Sequence, residues 1–156
     1  GDPQVLKDVK KGVTREEMIE AGRKLKRCGI LCSATLISGL GGRQRLREHA
    51  IASASLISAI KPDYVGFLTL MIDPQAPVYS KIVSGELELL NPEDVVEEMK
   101  LFLENVDSEG TVFRSNHASN YVILKGTLNE DIPSMLAYLR QVEEQGKYRE
   151  ERWRRF

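Results

Sequence analysis

Three short stretches concentrate the residue types that do chemistry. The first, RCGILCSATLISGLGG over 27–42, sets Cys28 and Cys32 in CxxxC spacing and ends in Gly39, Gly41 and Gly42. Structural zinc wants four thiolate or imidazole ligands, often from CxxC pairs, and no histidine stands near these two thiols. No metal site is expected in this chain. A disulfide scaffold would need more than two cysteines, so both are read as reduced. They are expected as small buried hydrophobes, Cys28 closing a helix face and Cys32 entering a strand.

The glycines match neither the GxxxxGK[ST] phosphate loop nor GxGxxG. What remains is a strand that ends in a flexible turn before a helix, where a ligand can approach the backbone closely and helix N–H groups are free. A plain tight turn and a binding turn both satisfy that pattern. The second stretch, RSNHASNY over 114–121, gathers Arg114, Asn116, His117, Ser119 and Asn120 behind a strand. Such residues build turns and caps; they also make a donor cluster, and Asn116 with the titratable His117 are its catalytic candidates on the substrate side. His49, between Glu48 and Ala50, is read as surface or packing. The third stretch, KYREERWRRF, ends the chain with Lys147, Arg149, Arg152, Arg154 and Arg155 against Glu150 and Glu151. It reads as a solvated extension, with Trp153 among arginines leaving a nucleic-acid or partner contact open.

The elements that must position these stretches follow from caps and periodicity. Asp2 and Pro3 start a short helix, and Thr14 with Glu17 forms a capping box for a second, whose face is Met18, Ala21 or Gly22, Leu25 and Cys28. Residues 30–37 and 64–72 read as buried strands, separated by a helix over 43–60 carrying Leu46, Ala50, Ala54, Ile57 and Ile60. Residues 73–90 carry two prolines and a glycine and no sustained period, which predicts a long loop with one short helical turn. Asn91 and Pro92 open another helix, 111–115 is a third strand, and 129–145 is a last amphipathic helix. Alternating helices and strands with long crossovers specify parallel α/β structure, with ligands at the strand carboxyl ends.

Bulk composition excludes several classes. A chain of 156 residues is long enough to bury about 68–70% of its unfolded surface in one core. The net charge of -1, with 42% hydrophobic and 29% charged residues, gives no global field for nucleic acid or anionic membrane. No apolar run approaches the roughly 20 residues of a membrane span, and no signal segment opens the chain, so a cytoplasmic location is expected.

Taken together, GDPQVLKDVKKGVTREEMIEAGRKLKRCGI, SATLISGLGGR and IKPDYVGFLTLMIDPQAPVY resemble the second half of a radical S-adenosylmethionine (SAM) enzyme core. The similarity covers most of residues 1–105. FRSNHASNYVILKGTL further resembles an iron-sulfur oxidoreductase branch of unknown substrate, near coproporphyrinogen-oxidase-like enzymes. The resemblance implies the carboxyl-terminal half of a partial (β/α)6 barrel over 1–128, followed by a helix and basic tail over 129–156. It implies that Ile37 packs on the adenine of SAM, that Gly39 borders the cofactor and that Thr35 faces the ribose. Lys11 falls where relatives hold the methionine carboxylate with an arginine, and Leu70 and Met71 bring backbone to the adenine edge. The family's CxxxCxxC motif is absent, since position 35 is threonine, so the 4Fe–4S cluster is implied only in a longer parent. There, reductive cleavage of SAM yields a deoxyadenosyl radical that abstracts hydrogen from substrate.

The chain alone is therefore expected to be inactive, to lack the amino-terminal half of the barrel as its partner, and to self-associate. Its uncovered inward face is expected to carry Cys32, Ala34 and Leu36 or its neighbours. Two other classes stay open: a stand-alone α/β module for a nucleotide-like ligand, and an interaction domain whose basic tail engages RNA or a partner.

Overall fold

Caps set most of the helix starts in the computed structural model, which describes residues 1–155. Helix α1 (Pro3–Asp8) begins on Asp2, whose carboxylate accepts the Gln4 and Val5 N–H groups. Helix α2 (Arg15–Arg27) carries the expected capping box, Thr14 Oγ1 accepting Glu17 N–H at 3.2 Å and Glu17 accepting Thr14 N–H at 2.7 Å. It ends in a Schellman motif: Gly29 has φ +69°, Gly29 N–H reaches Lys26 O, and Ile30 N–H reaches Leu25 O. That motif consumes Ile30, and strand β1 starts later than expected, at Ser33–Ser38. Cys28 is the cap residue itself and is exposed, not buried; Cys32 is buried against Leu56 and Ile60. The docking point of α2 is Gly22 on Ile60, while Leu25 stays exposed.

A short 3-10 turn, Arg43–Arg45, leads into α3 (Leu46–Ile60), and β2 (Tyr64–Thr69) follows. The 73–90 excursion contains one five-residue helix, α4 (Tyr79–Val83). Helix α5 (Pro92–Asn105) uses Asn91 and Asp94 as a second capping box. Then come β3 (Val112–Arg114), β4 (Lys125–Thr127), α6 (Ile132–Gln145) and a 3-10 turn at Glu151–Trp153. The sheet order is β1-β2-β3-β4, parallel except for β4, which returns antiparallel to β3. Strand β4 escapes a pattern reading because Lys125–Thr127 is three residues long and has no apolar alternation.

Strand parity divides the sheet into unlike faces. Leu36, Val65, Phe67 and Phe113 enter one core with α3, α5 and α6, where the rings of Phe67, Phe102 and Phe113 lie 5.9–6.0 Å apart. The other face carries Thr35, Tyr64, Arg114 and Lys125, all exposed, and Ile37, Gly66 and Leu68, half-buried. The expected set Cys32, Ala34 and Leu36 is out of phase by one residue with the uncovered side, which takes Leu36's neighbours Thr35 and Ile37 instead. In a period-two element that exchanges the faces, and the uncovered set on β1 is Ser33, Thr35 and Ile37. Among the described residues no helix is long and apolar enough to cross a membrane.

Candidate functional site at the strand carboxyl ends

Strand β1 stops where its backbone turns into a conformation only glycine adopts easily. Gly39 has φ +88° and Gly42 φ +61°, and Gly42 N–H closes on Gly39 O at 3.0 Å. Beneath the turn lies Glu98 of α5, 2% exposed. Its Oε2 accepts the Ser38 hydroxyl at 2.5 Å and the Gly39 N–H at 2.9 Å, and its Oε1 pairs with Nδ1 of buried His49 from α3. The order is hydroxyl to carboxylate to imidazole, so the oxygen that meets Ser38 is shared with the Gly39 N–H and no imidazole contacts the serine. The network positions a turn; it does not activate a nucleophile.

A second network closes the ends of β2 and β3. Thr69 Oγ1 donates to Asn120 Oδ1 at 2.9 Å, and the fully buried Asn120 amide donates to the carbonyls of Phe67 and Ser115. Thr69 N–H reaches Ser119 Oγ, which contacts His117 Nδ1 at 2.9 Å. The basic tail does not extend into solvent as expected. Arg154 is buried: Nε donates to Ser119 O, Nη2 to Leu70 O and Nη1 to Glu151, and the guanidinium lies 4.0 Å from the Tyr121 ring centre. Carbonyls left over at the strand ends drive this return, since a buried acceptor without a donor is costly. Burial, reinforced by the bond to Glu151, pushes the Tyr121 phenol up to about 12. Burial works against Glu151 ionising, yet the bonds from Arg154 and Tyr121 hold it below the usual carboxylate range.

Between the two networks is a cavity of about 400 Å³, lined by Ser38, Gly39, Thr69, Met71, Tyr121 and Arg154 among others. Of the candidates from sequence, Gly39 and Met71 line it. Thr35 and Ile37 lie instead on the uncovered face of β1. Asn116 and His117 are exposed beyond β3, with His117 Nδ1 tied to Ser119 in the turn. Lys11 is exposed past α1, and the neighbouring recess of about 450 Å³ is lined by Lys10, Val9, Leu40 and Leu70. The candidates therefore divide between the strand carboxyl ends and the uncovered sheet face and do not share one cavity. His49 takes the packing side of its reading, Arg154 is buried rather than part of a solvated tail, and Glu98 drew no expectation from sequence. A signal existed for His49, because His49, Ser53, Leu56 and Ile60 make a helical stripe of their own beside the apolar one.

No protein-family model matches the chain, and no curated protein matches it.

Proposed function

We propose that the chain forms the carboxyl-terminal half of a radical SAM enzyme core, one arc of a (β/α)6 barrel whose ligand side is the uncovered sheet face. The observation that carries this reading is the winding. β1, β2 and β3 advance across the sheet in chain order, while α3 and α5 pack together on one face. A right-handed crossover repeated in one direction returns every helix to the same side, as in (β/α) barrels; doubly wound sheets reverse and cover both faces. Parallel sheets otherwise bury both faces. The free edge of β1 supports the same reading, with the missing amino-terminal strands as its partner.

The residues fit an adenosine-sized ligand. The 400 Å³ cavity lies in the range of about 300–1,000 Å³ for small-molecule sites, and Ile37 and Leu68 pair across β1 and β2 as an apolar surface on the uncovered face. SAM, in this class, supplies reductive cleavage coupled to hydrogen abstraction from substrate. Gly39 offers close approach only, since its N–H is held by Glu98 and its carbonyl by Gly42. The Met71 N–H and C=O have no hydrogen bond among the described residues and are the groups free to meet the adenine edge. Thr35 presents a hydroxyl on the same face as Ile37, and His117 keeps Nε2 for proton exchange at the substrate side. Lys11 contributes charge at a distance. The residues do not fit an iron-sulfur cluster: Cys28 is exposed, Cys32 is buried, and no group of three metal-ligating side chains occurs among the described residues. In this proposal the cluster belongs to the amino-terminal half.

Titration of the chain with SAM, followed by amide NMR, tests the reading. Saturable shifts confined to Ile37, Gly39, Leu70 and Met71, lost in Ile37→Asp, are expected. Equal shifts with adenosine monophosphate would favour the nucleotide-binding module, and no shifts at these residues would overturn both.

A further inference from the structure

The register places four residues in one row across the uncovered face. Thr35 pairs with Gly66, Gly66 with Arg114, and Arg114 with Lys125. Residues in register project to the same side, so Arg114 and Lys125 stand directly opposite one another on adjacent strands. Both are exposed, and neither makes an ion pair among the described residues. Like charges placed opposite in an antiparallel pair destabilise it. Among the described residues no acidic side chain forms an ion pair with either to offset that repulsion.

Gly66 beside them is a second, independent anomaly. It sits inside a central strand, where glycine costs about 0.5–1 kcal/mol relative to alanine. Its φ is not in the left-handed region, and an added Cβ would meet only Thr35 Oγ1 at 3.8 Å and Leu68 Cδ1 at 3.9 Å. Neither backbone conformation nor packing requires a bare position there. Glycine inside a strand often stands at a bulge, at a bend or where a ligand or another backbone comes close, and the register runs unbroken through Gly66, so no bulge accounts for it.

We propose that this row is an anion subsite: a ligand lies across Gly66 with a carboxylate or phosphate oxygen group held between the Arg114 guanidinium and the Lys125 ammonium. Arg114 supplies a planar fork that grips two oxygens, and Lys125 adds a point charge. Assigning that ligand as the substrate rests on the barrel reading above, in which this face is the lumen. The two cations then select a substrate that carries an oxyanion, and the same contacts relieve their mutual repulsion.

Amide NMR titrations of the chain with inorganic phosphate and with succinate, each against sodium chloride of equal ionic strength, test the subsite. Saturable shifts at Gly66, Arg114 and Lys125 are expected, weakened ~10-fold or more by either Arg114→Gln or Lys125→Gln. Thermal unfolding of Lys125→Gln should shift upward, because the repulsion is gone; a Lys125 acting only in packing would shift it down. Phosphate binding alone identifies a phosphorylated substrate, and succinate binding as strong or stronger identifies a carboxylate. Shifts matched by chloride, or undiminished in both variants, overturn the subsite. Because SAM is read at Ile37, Gly39 and Met71, loss of those signals with the row intact would remove the radical SAM reading and leave the anion subsite standing.

Discussion

Glu98→Ala tests the buried network under the glycine turn. The carboxyl group serves three partners: Ser38 Oγ at 2.5 Å, Gly39 N–H at 2.9 Å and His49 Nδ1. Each buried polar group left without a partner costs about 1–3 kcal/mol. The Ser38 hydroxyl can rotate, whereas the Gly39 N–H and the His49 ring are held by their elements. The expected loss is therefore about 3–5 kcal/mol, the range found when one member of a buried charged cluster is removed. Against a typical stability of about 5–15 kcal/mol that is a large fraction. Glu98→Gln keeps one oxygen for Ser38 and Gly39 and turns an amide N–H₂ toward His49, whose ring must then present its bare nitrogen. Its cost should be only about 1–2 kcal/mol. Urea unfolding by far-UV circular dichroism measures both, and with a slope of about 2 kcal/mol/M the alanine variant should move the midpoint down by roughly 1.5–2.5 M. Amide exchange at Gly39 should accelerate in the alanine variant far more than in the glutamine one. An alanine variant within about 1 kcal/mol of the parent, at unchanged slope, would refute the reasoning.

Three further outcomes are expected. Gly22→Ala should destabilise the fold despite alanine's helix preference of about 1 kcal/mol, because its Cβ would meet Ile60 Cγ2 at 2.6 Å; a higher unfolding midpoint would contradict the α2–α3 packing. The Tyr121 phenol is raised to about 12 by burial and Glu151, so its contribution to stability is intact below about pH 10 and lost as pH rises toward 12. Denaturation at pH values across that window should show a decline that Tyr121→Phe lacks. The isolated chain, with its β1 edge and Ile37 face uncovered, should self-associate; light scattering should give a mass rising above the 17.6 kDa monomer with concentration, and Ile37→Lys should hold it at the monomer. A parent mass constant at 17.6 kDa would mean the face is covered by other means.

The sequence was most legible where local chemistry decides the structure. Asp2, Thr14 with Glu17, and Asn91 with Pro92 mark helix starts through side-chain acceptors that lie within three residues of their donors. The glycine turn after β1 was equally visible, since Gly39 and Gly42 adopt positive φ. What pattern reading lost was long-range pairing. Glu98 lies 59 positions from Gly39, and Arg154 lies 84 from Leu70, so neither contact leaves a mark on nearby residues. Strand phase was lost for a different reason. Residues 33–38 read SATLIS, small and apolar on both faces, and only register against β2 decides which side meets α3.

The placement of the buried charges separates stability from function. Asp2, His49, Glu98 and Arg154 are the buried acidic and basic residues among those described. All four sit around one end of the sheet: Asp2 is gripped by Arg45 just after the glycine turn, His49 and Glu98 lie under that turn, and Arg154 caps β2. Burying a charge is costly, and a paired one is often no more stabilising than apolar residues of the same volume. Stability alone would therefore favour aliphatic packing here, as at the Phe67, Phe102 and Phe113 cluster. Fully satisfied polar networks add something apolar packing does not, a single fixed geometry for the backbone they hold. That fixed geometry is concentrated on Gly39, Leu70 and the turn after β3, at the end of a parallel sheet where ligands bind. A site that must meet a ligand without rearranging needs such support, and the chain buries four acidic and basic side chains to provide it.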